Sequence, residues 1–228
     1  TNAARASSVG TVPSSSSTAT GIVAPVTAGI TRLLEGARAD GRRRILGIAG
    51  GPGSGKSTLA ASLAGPQVAV VGMDGWHLAN SVLDRLGRRE RKGAPDTFDA
   101  AGYVAFLRRV RSRAETVWAP EFRRSVEEPI AGALEVTPAV LVVVTEGNYL
   151  LLDEPPWDRV RPLLDEAWFL EPDEDVRRAR LVARHEHHGR SHAEAVARAD
   201  GSDAANARLV AATAPRADVV LREPPAPA

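Results

Sequence analysis

The sequence predicts an α/β fold with a mostly parallel sheet flanked by helices. Three observations predict it. The runs at 45–49, 68–72 and 140–145 are apolar at nearly every position, as strands covered on both faces are. Helical patterns alternate with these runs along the chain. A glycine-rich turn leads from the first run straight into a helical segment.

In chain order, residues 1–22 are rich in Ser, Thr and Ala and are expected to form a disordered leader; a transit peptide is the competing reading of that composition. A helix is expected near 26–39, then the strand at 45–49, a helix at 56–64, the strand at 68–72 and a helix at 78–87. Residues 87–135 break the alternation. They are rich in Arg, Pro and Gly, hold one good helical pattern at 99–114, and read as a substrate-side elaboration or as a solvated connection. The strand at 140–145 follows, then a helix at 157–165, a strand at 167–170, helices at 173–187 and 192–213, and a last strand at 217–221. Asp173, Glu174 and Asp175 put negative charge at the start of the 173–187 helix, where the helix dipole favours it. Ser191 and Glu194 have capping-box spacing before the next helix. The span 23–222 reads as one domain and 223–228 as a Pro-rich tail.

Composition narrows the function classes. Twenty-nine basic residues against 28 acidic ones leave a formal charge of +1, which argues against non-specific nucleic-acid binding by the whole domain and leaves room for a local basic site. The absence of cysteine excludes disulfides, thiolate metal sites and cysteine nucleophiles. The longest apolar run, 139–144, is far too short to cross a bilayer. The expectation is a cytoplasmic protein with a small-molecule partner, no nucleic-acid or membrane partner, and self-association as a homodimer left open.

Gly50-Gly51-Pro52-Gly53-Ser54-Gly55-Lys56-Ser57 matches G-x-x-x-x-G-K-[ST], with a strand before it and a helix after it. Glycines let the backbone curl until several N–H groups point inward at phosphate oxygens, and the helix N-terminus adds its positive end. Lys56 is expected to reach the β- and γ-phosphates, and the Ser57 hydroxyl to ligate Mg²⁺. The pattern assigns Gly51, Pro52, Gly53, Ser54, Gly55, Lys56, Ser57 and Thr58 to triphosphate binding and says nothing of the acceptor.

Ligands of open α/β sheets sit beyond the carboxyl ends of the strands. Asp74 and Glu146 fall there, after 68–72 and after 140–145. Phosphoryl transfer to a hydroxyl needs one carboxylate to orient the hydroxyl and take its proton, and another group on the metal side. Asp74 fits the first role and Glu146 the second, as metal-side or substrate-positioning residue; the bland reading of each is a turn acid. Arg177, Arg180 and Arg184 share one helical face, followed by Arg190. Mobile arginines there can stabilise charge spreading over phosphoryl oxygens, or the face can be solvated and paired with nearby acids. His185, His187, His188 and His192 cluster in the same stretch, but H-E-x-x-H fails because Gly189 stands where the second histidine would.

Four segments together resemble the phosphoribulokinase/uridine kinase family: Gly50 to Thr58, Met73-Asp74-Gly75-Trp76-His77, Glu146-Gly147-Asn148-Tyr149-Leu150 and the stretch 180–190. Within it the chain is similar to the nucleoside/nucleotide-kinase-like branch related to bacterial type I pantothenate kinase and to fructose-kinase-like proteins, over about residues 25–222. The resemblance implies a five-stranded parallel core of the P-loop NTPase fold and the use of ATP with Mg²⁺. It implies Asp74 as catalytic base, acting with Lys56 and Arg184, and an arginine-bearing lid at 177–190 that brings Arg180 and Arg184 to ATP. It also implies acceptor contacts from Lys92 and its neighbours to Asp99, from Tyr103, from Arg124 and from Asn206. For Asn206 a helix amide tied to a neighbouring backbone is the other reading. Trp76 and His77 hold the aromatic-polar position after the acid, where they wall the acceptor pocket unless Trp76 is core. Related sequences often carry aspartate at the position of Arg123, which leaves the contacts there open.

The implied activity is transfer of a γ-phosphoryl group to a hydroxyl of a sugar, a pantothenate-like alcohol or a nucleoside. The alternative class is a nucleotide-binding switch or regulatory protein. A GTPase would need N-K-x-D, which is absent, and Asp99-Ala100-Ala101-Gly102 fits D-x-x-G but opens a helical pattern. A third reading, a member that binds without catalysis, conflicts with retention of Lys56, Ser57, Asp74 and Glu146.

Overall fold

A computed structural model describes residues 20–222, so most of the expected leader and all of the 223–228 tail lie outside the described residues. Helix α1 (Thr20–Asp40) starts within the stretch assigned to the leader and buries Val26, Leu33 and Ala37 along one face. Strand β1 (Arg44–Ala49) is buried at every position after Arg44. Helix α2 (Lys56–Ser62), strand β2 (Val68–Gly72), and helices α3 (Asn80–Arg85) and α4 (Ala100–Val110) follow. Next come strands β3 (Val117–Arg123), β4 (Glu128–Val136), β5 (Val142–Gly147) and β6 (Glu166–Glu171). Helices α5 (Glu174–His187), α6 (His192–Arg198) and α7 (Ala204–Ala211) and strand β7 (Val219–Arg222) complete the chain.

Five strands form one parallel sheet in the order β2-β5-β1-β6-β7. Because successive side chains of a strand point to opposite faces, β1 feeds two cores. Leu46 and Ile48 pack with Val142, Val144 and Trp168 under α1 and α2. Ile45 packs with Val143, Phe169, Tyr103, Leu107 and Trp157 on the other face. Ile48 and Gly72 both stand in register with Glu146, so β1, β5 and β2 end level with one another. Their carboxyl ends therefore open onto one edge of the sheet, where ligands of such folds bind.

Three expectations are corrected. The 87–135 stretch contains an antiparallel hairpin, β3–β4, beside the single expected helix. Pro120, Pro129 and a register shift between Ala119 and Glu121 interrupt its alternation, which hides it from a periodicity reading. The helix expected at 157–165 is two 3₁₀ turns, Trp157–Arg159 and Arg161–Leu163; Pro162 has no N–H to continue an α-helix. The helix expected at 192–213 is broken into α6 and α7 by a π-type turn at Ala199–Asp203, around Gly201. The capping box at Ser191 and Glu194 is present, and Asp173 caps α5 by accepting from the N–H groups of Asp175 and Val176. No helix among the described residues is long and apolar enough to cross a membrane.

Candidate active site

The turn between β1 and α2 curls because Gly53 and Gly55 take φ of +81° and +88°, which other L-residues rarely adopt. Gly51, Pro52 and Ser54 are buried beneath it, and Ser54 Oγ is buried without a hydrogen-bond partner. Gly53 lies so close to α5 that a Cβ there would stand 2.7 Å from Leu181 Cγ. Lys56 opens α2 and folds back to donate from Nζ to the Gly51 carbonyl (3.3 Å). The Ser57 hydroxyl donates to Glu146 Oε1 (3.0 Å), bringing the end of α2 against the end of β5. Thr58 is exposed on α2.

Asp74 sits in a 3₁₀ turn, Met73–Trp76, directly after β2. Met73 and Trp76 are buried on either side of it, and that anchoring turns the Asp74 carboxylate, about 40% exposed, into the cleft. Arg124 Nη2 stands 3.8 Å from Asp74 Oδ2, and His77 Nδ1 lies 2.9 Å from the Asp74 carbonyl oxygen. Burial pushes Lys56 below the usual ammonium range, while the charges of Glu146 and Asp74 pull it back up. Burial pushes Glu146 above the usual carboxylate range, against the pull of Lys56. Burial also pushes the His77 imidazole down.

These groups face one cleft of about 860 Å³, within the range of small-molecule sites. Pro52, Lys56, Ser57, Asp74, His77, Lys92, Arg124, Arg184 and Asn206 all line it. Arg180 is exposed and reaches over the loop, one guanidinium nitrogen standing 3.4 Å from where a Gly55 Cβ would be. Two predicted acceptor residues are placed elsewhere. Trp76 and Tyr103 are buried against each other, ring centroids 4.9 Å apart, in the core behind the cleft wall. Thr145 already donates its hydroxyl proton to the Val71 carbonyl, so the Tyr103 hydroxyl is the donor in their 2.7 Å bond. Both aromatics therefore hold up the floor under Asp74 and do not meet the cleft. Arg123 pairs with Glu121 at 3.5 Å on β3.

Arg177 also departs from the expected set of mobile arginines. Its side chain is buried, it is gripped by both oxygens of Glu174 (2.8 and 2.6 Å), and it donates to the Pro52 carbonyl (3.0 Å). It ties α5 to the phosphate loop. Sequence reading gave no weight to Phe122 or Asn80, which line the cleft. Asn80 is the first residue of α3, and Phe122 belongs to the hairpin that the periodicity conceals. Asp99 caps α4, accepting from the Gly102 N–H (2.8 Å), so its D-x-x-G is a helix start.

The residues present fit a triphosphate with Mg²⁺. The left-handed glycines give the loop an inward curl, and Ser57 and Glu146 offer paired oxygens of the hard kind that Mg²⁺ prefers.

No family model matches the chain. The chain is 34% identical over 197 residues to putative uridine kinase C227.14 of Schizosaccharomyces pombe, a match that covers 80% of this chain and 84% of that protein. It belongs to the phosphoribulokinase/uridine kinase family of P-loop kinases. A crystal structure of a putative fructose transport system kinase from Silicibacter sp. TM1040 is 40% identical and superposes with a TM-score of 0.75, covering 84% of this chain and 98% of that one. A pantothenate kinase of Leifsonia xyli is 33% identical over 124 residues, 51% of this chain and 38% of that protein. Membership in this kinase family agrees with a P-loop, a carboxylate at the end of β2 and a second carboxylate joined to the P-loop serine.

Proposed function

We propose that this P-loop kinase transfers the γ-phosphoryl group of ATP to a hydroxyl of a small molecule, with Asp74 as the base. One observation carries the reading: Asp74 faces the same cleft as Lys56 and the Ser57–Glu146 pair, so a proton acceptor and a phosphate cradle share one space. The loop amides and Lys56 hold the triphosphate. Ser57 and Glu146 would hold Mg²⁺, which when bound supplies charge neutralisation at the β- and γ-phosphates. Asp74 accepts a hydrogen bond from the acceptor hydroxyl and takes its proton as the new O–P bond forms. The bond from the γ-phosphorus to the bridging oxygen breaks, and its electron pair leaves on ADP. Arg184, with Arg180, stabilises charge on the transferring group and, as part of a lid at 177–190, keeps water out. His77 and Asn206 wall the acceptor end. Asp99 as a helix cap supports this reading over a nucleotide switch.

The test is a transfer assay with Mg²⁺–ATP and a panel of sugars, pantothenate-like alcohols and nucleosides. Stoichiometric ADP and a phosphate monoester of one acceptor are expected. Intact ATP binding with no ester from any hydroxyl compound would sink the assignment.

A further inference from the structure

The cations that line the cleft fall into two kinds. Arg91 is taken up by Asp96, in two contacts of 2.6 and 2.5 Å. Lys92 and Arg124 are not neutralised in that way. Lys92 Nζ donates to the side-chain oxygen of Asn80 (2.6 Å) and to the Glu127 carbonyl (2.5 Å), both uncharged. The nearby Glu128 carboxylate is turned to the Asn80 backbone N–H instead (2.9 and 3.1 Å). An ammonium has three donors, so one N–H and the full charge are left over. Arg124 has only Asp74, at 3.8 Å. The two cations flank the Phe122 ring, Lys92 Nζ at 5.0 Å and Arg124 Cζ at 6.0 Å from its centre, with the His77 ring 4.8 Å away.

This pair is separate from the triphosphate set. The charges bearing most on Lys56 are Glu146, Asp74, Arg184 and Arg124. Those bearing most on Lys92 are Glu128, Glu127, Arg89 and Asp74. Asp74 is common to both, so the proton acceptor stands between the phosphate cradle and Lys92. A desolvated ammonium facing an uncharged ligand is left without a counter-charge, which weakens binding of that ligand.

We propose that the acceptor is an anionic alcohol, whose carboxylate or phosphate group binds between Lys92 and Arg124 beside Phe122 while its hydroxyl lies at Asp74. This rests on the kinase reading above and narrows its substrate class. The site selects by charge: an acid group docks on the hairpin side and positions the hydroxyl for transfer.

The experiment compares matched acceptors that differ in one acid group: glycerate against glycerol, pantothenate against panthenol, and fructose 6-phosphate against fructose. With Mg²⁺–ATP, kcat/KM for a charged member should exceed that of its neutral partner by about 10- to 100-fold, the worth of one charge-assisted hydrogen bond. The pair showing the preference identifies carboxylate or phosphate. Lys92→Met should shrink the ratio by raising KM for the charged acceptor, with KM for ATP unchanged. Equal or better use of neutral members by the unmodified protein overturns the inference. So does a charge preference that survives both Lys92→Met and Arg124→Gln. Absence of transfer to every member, with a non-hydrolysable ATP analogue still bound, is a different failure: it removes the kinase reading, and this inference with it.

Discussion

On the phosphate side of the cleft, the consecutive residues Gly50 to Ser57 supply the cradle. On the acceptor side, Asp74, Lys92, Phe122 and Arg124 come from a 3₁₀ turn, a loop and two parts of a hairpin. The first half is set by local backbone conformation, Gly53 and Gly55 at positive φ between a buried strand and a helix start. The second exists only once the hairpin has packed over the Met73–Trp76 turn. A cradle of main-chain amides can serve any triphosphate user, whereas an acceptor pocket gathered from distant segments can change its ligand without touching the cradle. That division explains how one family contains relatives named for a nucleoside, a vitamin precursor and a sugar.

The comparison is broken most directly at the boundary between the two halves. Asp74→Asn should lower turnover by about 10²–10⁴-fold, the usual worth of a general base, with ATP affinity unchanged by isothermal titration. Normal turnover in that variant would remove Asp74 from proton transfer.

A smaller effect sharpens the phosphate side. Arg177→Met should cost about 1.5–3 kcal/mol in urea unfolding, the scale of hydrogen bonds made by a charged group, and should weaken ATP binding through the freed Pro52 carbonyl. A variant with lowered stability but unaltered ATP affinity would show that the loop holds its shape without α5.

On the acceptor side, the state of His77 is open to a pH test. Burial holds its imidazole low, opposed by Asp74. With the folded value below the unfolded one, near ~6.5, the neutral ring's contribution to stability is complete above that value and is lost as pH falls through the folded value. The melting temperature should therefore drop on acidification, and less steeply in His77→Gln. Equal acid slopes in the two proteins would count against a buried neutral ring.

The smallest expected change is in Tyr103→Phe. Loss of its bond to Thr145 should cost about 1 kcal/mol of stability with acceptor KM unchanged. A large rise in acceptor KM would restore the pocket contact that family resemblance implied and that its burial denies.

Much of the sheet was legible because central strands bury both faces, leaving apolar runs at 45–49, 68–72 and 140–145 that no helix pattern imitates. The P-loop was legible for a related reason: its conformation is written in its own glycines. Asp74 and Glu146 could be placed because strand ends point to ligands. Phe122 was not legible, because prolines and a bulge mask the period of its strand. Nor was the burial of Trp76 and Tyr103, since an aromatic beside an acid suits a pocket wall as well as a core. Arg177 shares a helical face with Arg180 and Arg184, and spacing cannot show that one of the three is packed inward while Arg180 is exposed.

The buried guanidinium of Arg177 has a mechanical consequence. With its foot clipped to the Pro52 carbonyl, α5 behaves as a cantilever: lifting its base would strand a desolvated charge. Any travel must then come from the free end, where Arg184 lies two turns further on and the chain passes through Gly189 at φ +88° and the π-type turn at Ala199–Asp203. Grip on the nucleotide is thereby uncoupled from the swing of the cover, and evolution can retune the speed of one without loosening the other.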